Sequence, residues 1–114
     1  MADSVRLGLI QLAAEDTPAA NVRKTLPRIE EAAAKGAQII GLQEMFTTKY
    51  FCVTQDPKHF DLAEPIPGPS TEALSASAAK HGVVIVGSLF ERRAAGVYHN
   101  TACVIDADGK MLGI

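Results

Sequence analysis

The sequence predicts an α/β chain in which parallel strands lie beneath helical cover. Three observations predict it: a strand–helix–strand order over residues 5–42, an unbroken apolar run at Val83–Val86, and a hairpin signal at Asp106–Gly109. Strands that run the same way need a crossover segment between them, and a helix is the usual one. A continuous apolar run belongs where both faces of a strand are covered.

Val5 to Ala13 reads as the first strand, with Val5, Leu7, Leu9 and Ile10 apolar and Gly8 small enough to admit a neighbouring layer. Thr17-Pro18 then opens a helix, because the threonine oxygen caps and proline's missing donor costs nothing in the first turn. Val22, Leu26, Ile29 and Ala33 recur at helical spacing and form its apolar stripe. Pro27 falls inside that stripe, where a bend or an interruption is expected, and Gly36 ends the element. Gln38 to Leu42 is the second strand. Residues 43–69 read as a long irregular loop holding a brief helical turn, the kind of segment that often carries function. Ser70 to Lys80 is alanine-rich and helical, stopped by Gly82. Val83–Phe90 and Tyr98–Ile105 are strands turned around near Gly96, and Asp108-Gly109 supplies the tight turn before a returning strand at Lys110–Ile114.

With 114 residues, the chain suits one modest domain, and 47% apolar with 21% charged residues argues against disorder. A net charge of −2 and scattered basic residues leave no stripe for tracking phosphates, so neither nucleic acid nor a membrane is an expected partner. The opening Met1-Ala2-Asp3-Ser4 has neither the basic stretch nor the long apolar run of a secretory leader. No apolar stretch approaches the roughly 20 residues that span a bilayer. Cys52 and Cys103 fit neither a disulfide framework nor a zinc spacing, and a reduced, cytoplasmic chain is the simpler expectation. His59 and His99 have no ligand cluster, so no metal is expected. Ala13-Ala14-Glu15-Asp16 after the first strand, in place of a glycine-rich turn, speaks against a nucleotide-binding domain.

Glu44 is the leading candidate for chemistry. It follows Ile39-Ile40-Gly41-Leu42-Gln43, so its carboxylate stands at the carboxyl end of a buried strand, where ligands bind in open α/β folds. Partial burial there would suit it to general-base work; the bland alternative is a capping or surface carboxylate. Glu64 and Glu91 can attract an ammonium group, although most such carboxylates face solvent.

Gly36-Ala37-Gln38-Ile39-Ile40-Gly41-Leu42-Gln43-Glu44-Met45-Phe46 resembles the first catalytic segment of the nitrilase, or carbon–nitrogen hydrolase, superfamily. Gln43 stands where the broad family usually has proline, a choice common in its amidase branch. Gln11, Asn21, Gly87-Ser88, Asn100-Thr101-Ala102 and Asp106-Ala107-Asp108-Gly109 follow in the family's order, so the likeness spans essentially the whole chain. Tyr50-Phe51-Cys52, Leu62 to Thr71 and Gly87 to Arg93 resemble the N-carbamoylputrescine amidase branch more narrowly.

The resemblance implies the amino-terminal part of a four-layer α-β-β-α sandwich, a nitrilase-like fold, with residues 1–114 an incomplete domain continuing beyond this chain. It implies Glu44 as the base of a glutamate–lysine–cysteine set whose other two members come from the remainder of the enzyme, so the isolated chain is expected to be inactive. Lys110 lies inside the hairpin and is not assigned the lysine role; Cys103 reads as a core residue. Tyr50, Phe51, Cys52 and Asn100 are the substrate-binding candidates, with packing the alternative for the aromatics and a strand-end hydrogen bond the alternative for Asn100. The implied partner is a small ureido or amide substrate, in a homo-oligomer needing no cofactor. A related amidase or ureidopropionate-type hydrolase is the nearest other reading, and a noncatalytic truncated fragment is the reading from a different class.

Overall fold

The computed structural model describes residues 3–114; Met1 and Ala2, half of the opening read for a leader, lie outside the described residues. Five strands form one sheet in the order β1-β2-β3-β4-β5: β1 Leu7–Ile10, β2 Ile39–Leu42, β3 Val84–Ala94, β4 Val97–Ile105 and β5 Met111–Gly113. β1, β2 and β3 run parallel, with Leu7 opposite Ile39 and Ile39 opposite Val84. β4 and β5 return antiparallel through hairpins. Helices α1 (Pro18–Ala34) and α2 (Pro69–His81) are the two crossovers, and they pack on each other and on one face of the sheet.

The α1 opening follows from its sequence: Thr17 accepts the Ala20 N–H at 3.2 Å and Pro18 fills the first turn. Pro27 does not interrupt the helix, which runs 17 residues through it. The apolar stripe faces the core: Ile29 belongs to it, and Val22, Leu26 and Ala33 pack against it. Ile29 is fully buried, but Asn21 and Thr25 are buried too, while Val22, Leu26 and Ala33 stay half-buried. Both polar residues tolerate burial because their bonds are made internally. Thr25 donates to the Asn21 carbonyl at 2.8 Å, and Asn21 meets the Glu15 backbone at both ends of its amide.

The core fills the space between helices and sheet: Ile10, Ile29, Ile40, Leu74, Ala78, Ile85, Leu89, Cys103 and Ile105. A Cβ on Gly8 would sit 3.1 Å from the Ala37 Cβ, which is the close approach its size permits. Gly82 (φ +64) and Gly109 (φ +88) provide the left-handed turns that end α2 and close the last hairpin.

The opposite face of the sheet is bare among the described residues. Leu7 and Leu9 are 60% and 84% exposed, and Val84 and Val86 are half-buried beside a fully buried Ile85. Cover on both faces of Val83–Val86, expected from the apolar run, is therefore not supplied within these residues. Both helices lie on one side, so the described residues make two layers, one of helices and one of strands.

Candidate active site

β2 delivers Gln43 and Glu44 to its carboxyl end, and the chain then turns sharply. Met45 takes φ +49, a left-handed conformation that costs a non-glycine residue roughly 1–2 kcal/mol. What holds it there is Ser88 on β3. The Met45 N–H donates to the Ser88 hydroxyl at 3.1 Å and the Phe46 N–H to the Ser88 carbonyl at 3.0 Å. Met45 and Phe46 are themselves buried, so the turn is anchored by packing as well as by hydrogen bonds. From behind, the Asn21 amide donates to the Thr47 carbonyl at 2.8 Å, and Gln43 donates to the Leu12 carbonyl at 3.0 Å. Helix α1 and the exit of β1 thus support the segment that carries Glu44.

Glu44 stands on the bare face and is exposed, so the partial burial expected of it is not found; these residues place no layer over that face. One carboxylate oxygen is engaged: Asn100 on β4 donates to Glu44 Oε1 at 2.7 Å, and Ser88 donates to Asn100 Oδ1 at 3.2 Å. The strand-end bond considered for Asn100 therefore goes to the Glu44 side chain, 56 residues away.

Tyr50 is 60% exposed, and its hydroxyl is pushed above its ordinary pKa by the Cys52 thiol first and by the Glu44 carboxylate second. Tyr50 therefore lies within the field of both groups. Phe51 instead joins an aromatic group, 4.9 Å from His59 and 4.8 Å from Phe90 between ring centres, which Phe60 and Tyr98 extend. Phe51 and Cys52 also line a cleft of about 480 Å³ together with Thr54, Asp56, His59 and Phe60. Cys103 is fully buried, and burial pushes its thiol up, against what a nucleophile needs. Among the described residues no group of three or more His, Cys, Asp or Glu side chains can hold a metal.

Neither of the spare carboxylates faces solvent as an ammonium receptor. Glu64 accepts from the Ser70 N–H and hydroxyl, both at 2.8 Å, at the start of α2. Glu91 is 2% exposed, accepts two bonds from Arg93 at 3.0 and 2.9 Å, and takes another from Thr101 at 2.5 Å. The Arg93 bonds hold the Glu91 carboxyl below its ordinary pKa, burial works the other way, and the Thr101 hydroxyl adds to the lowering. A folded-state value below the unfolded one stabilises the fold above the ordinary carboxylate range and loses that stabilisation as pH falls through the depressed value. Glu91→Gln is therefore expected to flatten the acid-side loss of stability below about pH 4. Melting midpoints of parent and variant of the full-length protein, taken down an acid series, check this; parallel curves would refute it.

Two contributors to this site went unread as such in the sequence. Ser88 was visible only as part of Gly87-Ser88, and its signal is a hydroxyl interrupting the apolar run of β3. Met45 had none, since a left-handed torsion at a methionine follows from the surrounding bonds.

Comparison with known proteins finds relatives of the chain. The family model described as carbon-nitrogen hydrolase matches residues 6–114. A citrullinase of Francisella tularensis subsp. tularensis is 36% identical over 112 residues, covering 97% of this chain and 39% of the relative. An omega-amidase of Xenopus laevis is 38% identical over 108 residues (94% and 37%), and an N-carbamoylputrescine amidase of Solanum lycopersicum is 39% identical over 111 residues (96% and 37%). The crystal structure of a carbon-nitrogen hydrolase from Helicobacter pylori G27 superposes with a TM-score of 0.88 at 35% identity, over 96% of this chain and 38% of that one. The chain thus spans less than two-fifths of the length of each of these relatives.

Proposed function

The chain belongs to the carbon-nitrogen hydrolase family, and from that premise we propose that the full-length protein hydrolyses the ureido C–N bond of N-carbamoylputrescine through a cysteine thioester, with Glu44 as the base. The observation that carries the reading is the Glu44 carboxylate, fixed at the end of β2 by Asn100 with its second oxygen unengaged among the described residues. Its closest support for the substrate is the likeness to the tomato N-carbamoylputrescine amidase, together with the run Tyr50-Phe51-Cys52 that follows Glu44 in the sequence.

In this reading Glu44 takes the proton of a cysteine supplied by the rest of the polypeptide, and the sulfur attacks the terminal ureido carbon. A lysine, also from beyond these residues, steadies the negative oxygen of the tetrahedral intermediate. The C–N bond breaks, Glu44 returns its proton to the departing ammonia, and a carbamoyl thioester remains. Glu44 then deprotonates water, which attacks the thioester. The cysteine leaves as a thiol, and the released carbamate falls apart to putrescine and carbon dioxide. Cytoplasmic location and a homo-oligomeric assembly accompany the reading. No helix among the described residues is long and apolar enough to cross a membrane.

The citrullinase and omega-amidase likenesses, at 36% and 38% identity, favour a second reading in which a related amide or ureido compound is the substrate. Ammonia release from three substrates separates the two: a ureido compound ending in an ammonium, one ending in a carboxylate, and a simple primary amide. N-carbamoylputrescine is expected to give a kcat/KM at least about tenfold above the others, because a pocket built for one charge strands its polar groups against another. A preference for the carboxylate or the primary amide would overturn the assignment of substrate.

A further inference from the structure

We propose that Asn100, oriented by Ser88, is a positioning residue that divides the work between the two oxygens of Glu44; this rests on the reading of Glu44 as the base. Three hydrogen bonds run in one direction. The Met45 N–H donates to Ser88 Oγ at 3.1 Å, Ser88 donates to Asn100 Oδ1 at 3.2 Å, and Asn100 Nδ2 donates to Glu44 Oε1 at 2.7 Å. A backbone N–H only donates, so the Ser88 hydroxyl accepts at that end and sends its own proton to Asn100. With Oδ1 committed to Ser88, the amide nitrogen faces the carboxylate; the flipped amide would set two acceptors against each other.

The nitrogen has only hydrogens to offer, so Glu44 Oε1 is held as a fixed acceptor. A proton taken up by Glu44 goes to Oε2, which accepts nothing from the described residues. The same serine grips the backbone of the turn, since its carbonyl accepts the Phe46 N–H at 3.0 Å. Ser88 and Asn100 therefore fix both the place of Glu44 in the chain and the rotation of its carboxylate. Asn100 opposes Phe90 in the β3–β4 register, and that pairing sets its height above the turn.

Steady-state ammonia release by the full-length protein tests this. Asn100→Ala is expected to lower kcat by about 10- to 100-fold with KM held within about threefold, because a displaced base misses its proton while substrate still binds. Asn100→Asp keeps the shape and loses the donor, so it should fall at least as far. Ser88→Ala should also lower kcat, and the double Ala variant should be no slower than the slower single variant, since the two residues act through one chain. A parental kcat in Asn100→Asp, a loss confined to KM, or multiplying losses in the double variant would overturn the proposal. Glu44→Gln assayed alongside separates the failures: a dead Glu44→Gln enzyme with an unaffected Asn100→Ala enzyme sinks the positioning role alone, whereas parental turnover in Glu44→Gln sinks the base.

Discussion

Glu44→Gln in the full-length protein is expected to lower kcat by about 100- to 10,000-fold, the range a positioned general base contributes. The amide keeps the size of the carboxylate and an oxygen that can still accept the Asn100 N–H, but it cannot take a proton from a thiol or from water. Stability should hardly move. Glu44 is exposed and the turn that carries it is held by Ser88 through backbone groups, so the melting midpoint is expected to shift by no more than about 2 °C. Ammonia release and thermal unfolding measured on the same preparation check both halves. Turnover near the parental rate would remove Glu44 from the mechanism, and a large fall in midpoint would recast it as structural.

The largest effect on folding is expected from Gly68→Ala. The position is not left-handed: φ −164 and ψ −172 are extended angles that any residue adopts. The obstacle is space. A Cβ there would lie 2.2 Å from the Pro65 carbonyl oxygen, a backbone atom with no rotamer to move out of the way. The surroundings resist adjustment as well. Gly68 donates to the Thr71 hydroxyl at 2.9 Å and accepts the Glu72 N–H at 2.8 Å, so it opens α2. Glu64 binds Ser70 through both oxygens, and its backbone pairs with Phe90 and Arg92 on β3. Pushing Pro65 and Gly68 apart would strain the α2 start and this bridge together, at about 2–3 kcal/mol. Denaturant unfolding of the full-length protein measures it, and an unchanged midpoint would mean that the loop yields freely.

Much of this architecture is written in local patterns. The caps at Thr17-Pro18, the stop at Gly82 and the Asp-Gly hairpin depend on a few neighbouring residues and on torsions those residues prefer. The second strand and Glu44 at its end were legible because an apolar run bounded by polar residues reports burial without reference to the rest of the chain. On α1, periodicity picked out Val22, Leu26, Ile29 and Ala33, which do meet the core, but carried no sign that Asn21 and Thr25 are buried as well. Hydropathy counts a polar side chain as outward, and it cannot know that the Glu15 loop and the Thr47 carbonyl will satisfy Asn21.

By itself, then, the sequence determined the order of strands and helices, the irregular stretch after β2, and the carboxylate placed where that strand ends. Tertiary structure alone decided what meets that carboxylate. Asn100 reaches Glu44 only through the register of β3 with β4, Ser88 holds the turn from a neighbouring strand, and Glu91 disappears beneath Arg93 and Thr101. The physical reason is that torsional preference and hydrophobic period act within a few residues, whereas a hydrogen bond across 56 residues exists only after the sheet has chosen its pairing.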